Sequence, residues 1–355
     1  MISFYPGPST LYKRIPEFME EACKTGVLSI NHRSPEFVEI SKSVVSLFKQ
    51  KMRLPDDYTL FFTSSATECW EIIAQSLIKE SSYHFYNGAF GEKWMEYTQK
   101  LHKNSTGIQF GIEDALTTDS YLAPQEAELI AITQNETSNG TEVSNSLVAA
   151  YRSAYPEKLI AVDATSSMAG VYLDFSNADI WYASVQKCFG LPAGLAVMVC
   201  SPKAINRAIE IDENNHYNSL ISMVERMKDF QTTYTPNVLT IYLLKKVLET
   251  IPPIEKTEEL ILEKAKNWYD FFIGIKGMEL LIKDQDLRSK TVIAVKGNEE
   301  IISRVKKEAK EAGILLGNGY GNWKKDTFRI ANFPAIDAIE INKLKDFLTT
   351  FSLKF

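Results

Sequence analysis

Short apolar runs alternate with amphipathic stretches along the first two hundred residues. Tyr58 to Thr63, Leu129 to Thr133, Leu159 to Val162, Ile180 to Ser184 and the glycine-led Gly194 to Cys200 are too short for helices. Apolar on both sides, they read as strands buried on both faces of a sheet. The stretches between them carry helix signals. Ser34 caps a helix with Pro35 at its first position, running to about Met52 with Phe37, Val44, Phe48 and Met52 on one side. Ser64 to Glu68 turns the first strand directly into a helix that reaches about Lys79. A strand at His84 to Tyr86, a glycine turn at Asn87 to Gly91, a helix to about Lys103 and a strand at Gly107 to Gly111 follow. A helix from about Ser144 to Tyr155 precedes the strand at Leu159. Residues 204 to 250 read as helical, with a polar insert at Asp212 to Asn218 and a last helix opened by Tyr234-Thr235-Pro236-Asn237.

Pro252-Pro253 is the sharpest punctuation in the chain. Beyond it the pattern predicts a long helix from about Glu255 to Ile275, a strand at Thr291 to Val295, a helix at Glu299 to Glu311, a strand at Thr327 to Ala331 and a helix at Ala338 to Phe351. The whole predicts an α/β fold: a mostly parallel central sheet with helices on both faces, plus a smaller C-terminal α/β domain. The expected division is a large domain over 16–251 and a small domain made of 1–15, a Pro- and Gly-bearing arm, with 252–355. In such sheets ligands collect at the carboxyl ends of the strands, where polar residues gather here.

Composition narrows the function classes. Among 355 residues, 45% are hydrophobic and 24% charged, with a formal net charge of −6. That balance argues against a nucleic-acid surface or an anionic-membrane partner. No apolar run approaches the roughly 18 residues of a spanning helix, and the N-terminus lacks the charged and apolar regions of a secretion signal. Cys23, Cys69, Cys188 and Cys200 have no metal-ligand spacing, so no metal site is expected and a reducing cytoplasm fits.

The candidate chemistry sits at the strand ends. Lys187 follows the apolar run Ile180 to Val185 and precedes a turn punctuated by Gly190, Pro192 and Gly194. A lysine held beside a sheet edge loses solvent and some of its basicity, as Schiff-base chemistry requires. By itself that window also fits a solvated turn lysine. Asp163 ends a neighbouring strand and suits the nitrogen of a pyridine ring, or else caps the turn at Ala164 to Ser167. Phe90, between Gly88 and Gly91, is a ring to stack on or a loop aromatic in the core. Ser65, Ala66 and Thr67 at a helix start offer amides and a hydroxyl to a phosphate. Thr137 and Ser166 or Ser167 add hydroxyls. Lysine, carboxylate, aromatic lid and phosphate cup together are what pyridoxal 5'-phosphate asks of a protein.

Eight motifs in register then give the chain a resemblance. Tyr5-Pro6-Gly7-Pro8, Asn31-His32-Arg33-Ser34, Gly88-Ala89-Phe90, Asn135-Glu136-Thr137, Asp163-Ala164-Thr165-Ser166-Ser167, Gln186-Lys187, Thr235-Pro236 and Phe328-Arg329-Ile330-Ala331-Asn332 resemble those of fold-type I, class V aminotransferases, most closely the phosphoserine aminotransferase branch. The resemblance implies amino transfer between phosphoserine and 2-oxoglutarate in serine biosynthesis, by a ping-pong mechanism. It gives Lys187 the Schiff base and the proton shuttle, Asp163 the ring nitrogen, Phe90 the stacking place usually held by tryptophan, and Thr137 a ring-side hydroxyl. Ala66, Thr67 and Gln186 would line the cofactor pocket. Thr235 would reach the cofactor phosphate of a neighbouring subunit, implying a homodimer with shared sites. Arg329 would clamp the substrate α-carboxylate, while His32 and Arg33 would bind the distal phosphate or carboxylate.

Two departures stand out. Near Thr67 the family's arginine is replaced, and no histidine occurs in Gly317 to Trp323, so the distal anion site is thinner than the family's. A serine- or alanine-type transaminase using glyoxylate or pyruvate is the alternative within the family. A desulfurase would need a mobile cysteine, and a cofactor-free binding protein would have no use for the lysine, aspartate and arginine together.

Overall fold

The structure, a computed structural model, describes residues 1–102 and 104–354. Chain order begins with β1 (Ile2–Phe4), α1 (Ile15–Thr25), α2 (Pro35–Met52) and β2 (Thr59–Thr63). Ser34 starts α2 as its spacing predicts, its hydroxyl accepting from Phe37 N. Next come α3 (Ala66–Leu77), β3 (Ser82–Tyr86), α4 (Ala89–Leu101), β4 (Thr106–Gln109) and β5 (Leu129–Thr133). The expected end of α4 at Lys103 falls outside the described residues. A small hairpin, β6 (Asn135–Glu136) and β7 (Thr141–Glu142), leads to α5 (Asn145–Ala154), β8 (Leu159–Asp163), β9 (Ile180–Ser184) and β10 (Ala196–Cys200). The last of these begins later than its glycine suggested, because Gly194 has a φ of 114°, outside the extended range.

Three helices, α6 (Pro202–Ile211), α7 (Leu220–Met227) and α8 (Val238–Thr250), complete the first part. The remainder is α9 (Ile254–Ile273), β11 (Met278–Leu280), β12 (Val292–Gly297), α10 (Glu299–Glu311), β13 (Ile314–Asn318), β14 (Thr327–Ala331) and α11 (Ala338–Ser352).

The large sheet has the order β2-β10-β9-β8-β5-β3-β4. The strands β9, β8, β5, β3 and β4 pair in parallel. β10 runs antiparallel to both neighbours, which leaves β2 pointing the same way as β9. All strands but β10 therefore deliver their carboxyl ends to one edge. β5, β8, β9 and β10 are buried at every residue, the signature of a sheet covered on both faces.

The second sheet has the order β1-β13-β14-β12-β11. Its outer strand is the N-terminal arm: Ile2, Ser3 and Phe4 pair in parallel with Ile314, Leu315 and Leu316. This arm crosses from one sheet to the other, since Ser9 N donates to Gln186 O and Tyr12 N to Gly190 O. It brings Tyr5 to Pro8 over the edge where the strands of the large sheet end.

Candidate active site

A cavity of about 500 Å³ opens at that edge, between the two sheets. The turn after β9 places Lys187 on its floor, the last residue of β8 is Asp163, and the hairpin after β5 adds Thr137. The start of α4 adds Phe90, and the start of α3 adds Ala66 and Thr67. Gln186 also lines it, and Arg329 enters from β14. Eight side chains singled out from the sequence thus meet in one place.

Lys187 is 7% exposed. Burial pulls its amine down to about 8, Asp163 pulls the other way, and Arg329 adds to the depression. Nζ donates to Thr137 Oγ1 at 3.0 Å and stands 5.3 Å from the centroid of the Phe90 ring. Behind Thr137 a directional chain continues: its hydroxyl donates to Ser166 Oγ at 2.9 Å, and Ser166 donates to the Asn135 carbonyl at 3.0 Å. Thr137 therefore has only lone pairs to offer Lys187. Above the amine, Gly7 has a φ of 142°, and a Cβ there would lie 2.8 Å from Lys187 Cε, so the arm can pass over the lysine only as glycine.

Asp163 is held by Thr165 N, which donates to Oδ1 at 2.8 Å. Burial raises its carboxyl above the ordinary range, with Thr165, Lys187 and Tyr182 countering. A cation beside it would restore the charged form. Phe90 is fixed from below by Glu136, whose Oε2 accepts from the Phe90 and Gly91 amides at 3.2 and 3.1 Å, while Ser138 Oγ accepts from Ala89 N at 3.0 Å. These two side chains cap α4 in place of the side chain Gly88 lacks. A Cβ at Gly88 would meet Glu136 Cγ at 2.3 Å, so the cap needs glycine there.

The buried Arg329 spends Nε on Asn318 O at 2.8 Å and one terminal nitrogen on Thr137 O at 2.6 Å. Both acceptors are neutral, so its positive charge is left for something inside the cavity. Its Cζ lies 5.5 Å from the Tyr320 ring centroid, and Tyr320 stacks on Phe90 with centroids 5.2 Å apart.

Some expected residues lie elsewhere. Ser65 is spent on Glu68 N at 3.1 Å as the cap of α3 and Ala66 N on Ser184 Oγ at 3.3 Å, so the phosphate donors left at that helix start are the Thr67 amide and hydroxyl. Ser166 is wholly buried behind Thr137 and does not line the cavity. His32, Arg33 and Thr235 are not among the lining residues. Arg33 and Thr235 are exposed, and Arg33 donates to Gln231 Oε1 at 2.6 Å. Burial, and then Arg33, lowers the pKa of His32.

The structure adds Asn135, Thr165, Lys93 and Tyr320 to the lining. Asn135 Oδ1 is buried without a partner among the described residues, an arrangement that asks for a polar guest. Together with a soft amine, a carboxylate wanting a cation and a half-covered aromatic face, it fits pyridoxal phosphate. A larger hollow of about 690 Å³ around Tyr12, Lys264 and Ile341 holds no such set; Lys264 is spent there on the carbonyls of Phe333 and Ile336.

Known proteins agree with this chemistry. The class-V aminotransferase family model matches residues 6–321. A phosphoserine aminotransferase from Rhodococcus opacus strain B4 is 27% identical over 354 residues, covering 95% of this chain and 91% of its own. The crystal structure of a phosphoserine aminotransferase from Cytophaga hutchinsonii superposes with a TM-score of 0.94 at 31% identity, covering 98% of each chain. An alanine–glyoxylate aminotransferase from Nostoc superposes at 0.85 with 17% identity over 99% of this chain and 94% of its own, a likeness of fold alone.

Proposed function

The chain belongs to the class-V aminotransferases and is a pyridoxal-phosphate-dependent transaminase, and from that premise we propose that it exchanges an amino group between phosphoserine and 2-oxoglutarate. The observation that carries the substrate reading is the 31% identity to the Cytophaga hutchinsonii phosphoserine aminotransferase over 98% of both chains.

Lys187 would hold the cofactor through Nζ, Asp163 would face its ring nitrogen, Phe90 its ring, and Ala66, Thr67 and Gln186 its phosphate end. When bound, pyridoxal phosphate supplies an aldehyde carbon that exchanges amines and a ring that delocalises the electron pair left by a departing α-proton. Asp163, ionised by a protonated ring nitrogen, keeps that proton in place. Arg329 takes the substrate α-carboxylate with the guanidinium face its backbone bonds leave free, and so fixes the Cα–H bond near Lys187. With the cofactor bound, the Lys187 amine, softened by burial to about 8, would be the base placed to hold and move the substrate Cα proton. The arm at Tyr5 to Pro8 covers Lys187 and keeps water from competing.

The same reading assigns 16–251 as the cofactor-binding domain and 1–15 with 252–355 as the substrate-closing domain, supported by β1 lying in the sheet of β11 to β14. It also makes the enzyme a homodimer. Thr235, His32 and Arg33 have no place in the cavity of their own chain and are available to a second copy's. Among the described residues no helix is long and apolar enough to cross a membrane, and all four cysteines are free thiols, in keeping with a cytoplasmic enzyme.

The test is spectral. Purified enzyme is mixed with phosphoserine, serine, alanine or glutamate, and bleaching of the cofactor's visible absorbance is followed. Phosphoserine and glutamate should bleach it fast. Fast bleaching by serine or alanine alone would replace this reading with a glyoxylate- or pyruvate-linked transaminase.

A further inference from the structure

Lys93 stands in the active-site cavity without a role in the chemistry described above. It sits one helical turn after Phe90 on α4, so the two side chains rise from the same helix face. Nζ donates to the Tyr320 hydroxyl at 2.6 Å and lies 5.1 Å from the centroid of that ring. Arg329 Cζ lies 5.5 Å from the same centroid. Lys93 and Arg329 thus both approach one aromatic ring inside one cavity, at 5.1 and 5.5 Å from its centroid.

Charge accounting leaves Lys93 in need of an anion. The cavity is lined by three cationic side chains, Lys187, Arg329 and Lys93, against one carboxylate, Asp163. Asp163 goes to the cofactor ring, Lys187 to the cofactor carbon and Arg329 to the α-carboxylate. The direct partner of Lys93 is a neutral hydroxyl, and Glu96 on the same helix adds to its charge stabilisation from a distance. An ammonium held half-buried against tyrosine is selective for a guest that brings the missing charge.

We propose that Lys93, braced by Tyr320, recognises the distal phosphate or carboxylate of the substrate while Arg329 holds the α-carboxylate. This rests on the transaminase reading of the site and supplies a cation where the sequence lacks the expected arginine near Thr67 and the histidine before Arg329. The phosphate end of the cofactor carries the same dianionic chemistry, and the experiment has to separate the two.

Lys93→Met and Lys93→Arg holoenzymes are compared with wild type in steady-state kinetics on phosphoserine, glutamate and alanine. Pyridoxal phosphate affinity is measured in parallel by quenching of tryptophan fluorescence. Loss of a charge-assisted contact should raise KM for phosphoserine and glutamate about 10- to 100-fold in Lys93→Met, with kcat held within about threefold. Alanine kinetics and cofactor affinity should not move, and Lys93→Arg should recover most of the loss. Unchanged KM for both anionic donors overturns the proposal, as does an equal loss with alanine. Weakened cofactor binding with donor selectivity intact reassigns Lys93 to the cofactor phosphate and overturns it equally. If wild type uses glutamate but not phosphoserine, the phosphoserine reading fails, and Lys93 is judged on the distal carboxylate of glutamate alone.

Discussion

The floor of the cavity and its rim are built differently. On the floor, Lys187, Asp163 and Thr137 are buried and stand at or just past strand ends; Lys187 donates to Thr137 and Thr137 to Ser166 behind it, while Asp163 accepts from Thr165 N, all within one chain. At the rim, Tyr320 sits on a loop, Lys93 is half-exposed, and His32, Arg33 and Thr235 lie outside the cavity altogether. On the reading proposed above, the floor carries what every amino transfer needs, with rigid strands supplying its precision. The rim then meets the part of the substrate that differs from one amino acid to the next, where loops and a second copy allow variation on a constant fold. Neighbours such as the Nostoc alanine–glyoxylate aminotransferase share that fold at 17% identity.

The sharpest way to break this division is at the floor. Lys187→Ala removes the amine and the proton shuttle together, and turnover should fall by roughly 10⁴-fold or more for every donor alike. The cofactor's visible band should be altered even in the resting enzyme. A variant that kept its rate with any donor would show that the strand-end constellation is not the catalytic one. Arg329→Lys lies between floor and rim and should act less strongly. It keeps the charge but loses the planar fork whose other nitrogens bond Asn318 O and Thr137 O. KM for all amino acids should rise about 10- to 100-fold, because the α-carboxylate is common to them. Discrimination among donors should survive. If donor preference changed instead, Arg329 would belong to the rim.

The same contrast governs what the sequence reveals. Leu129–Thr133, Ile180–Ser184 and Thr327–Ala331 form at the residues the sequence predicts, and every residue in them is buried, as strands covered on both faces require. The floor residues follow at once, being the polar residues at or just past the ends of such strands. β13 is the counterexample: Ile314–Asn318 ends in the glycine series that reads as loop, yet it pairs with β1 and β14, and Pro6 packs where a Gly317 side chain would go. The antiparallel course of β10 and the three-residue strands β1 and β11 leave no periodicity to read. Helix α1 also escapes, its cap Arg14 making no side-chain bond of the kind that marks α2. Lys93 is hidden for another reason: on an amphipathic helix a lysine beside the buried Trp94 looks like any solvated one until the loop at Tyr320 folds over it.

The smallest expected effect tests the directionality of the floor. Thr137 donates its only hydroxyl proton to Ser166, so toward Lys187 it can only accept, which favours the ammonium, the stronger donor, over the neutral amine. Replacing Thr137 with Val removes an acceptor from the charged form while burial continues to favour the neutral one. The amine pKa, about 8 in the unaltered chain, should therefore move further down, by a fraction of a unit. Ser166 still accepts from Asn135 Nδ2 and donates to Asn135 O, so the buried network keeps two of its bonds. Apo-enzyme uptake of pyridoxal phosphate reports this directly, because only neutral Nζ attacks the aldehyde. In wild type the uptake rate should climb with pH and level off near pH 8, about tenfold per unit on the acid side. In Thr137→Val the plateau should begin at lower pH, with uptake near neutrality a few-fold faster. A plateau shifted to higher pH would mean that the Thr137 proton points at Lys187, and that the relay through Ser166 runs the other way.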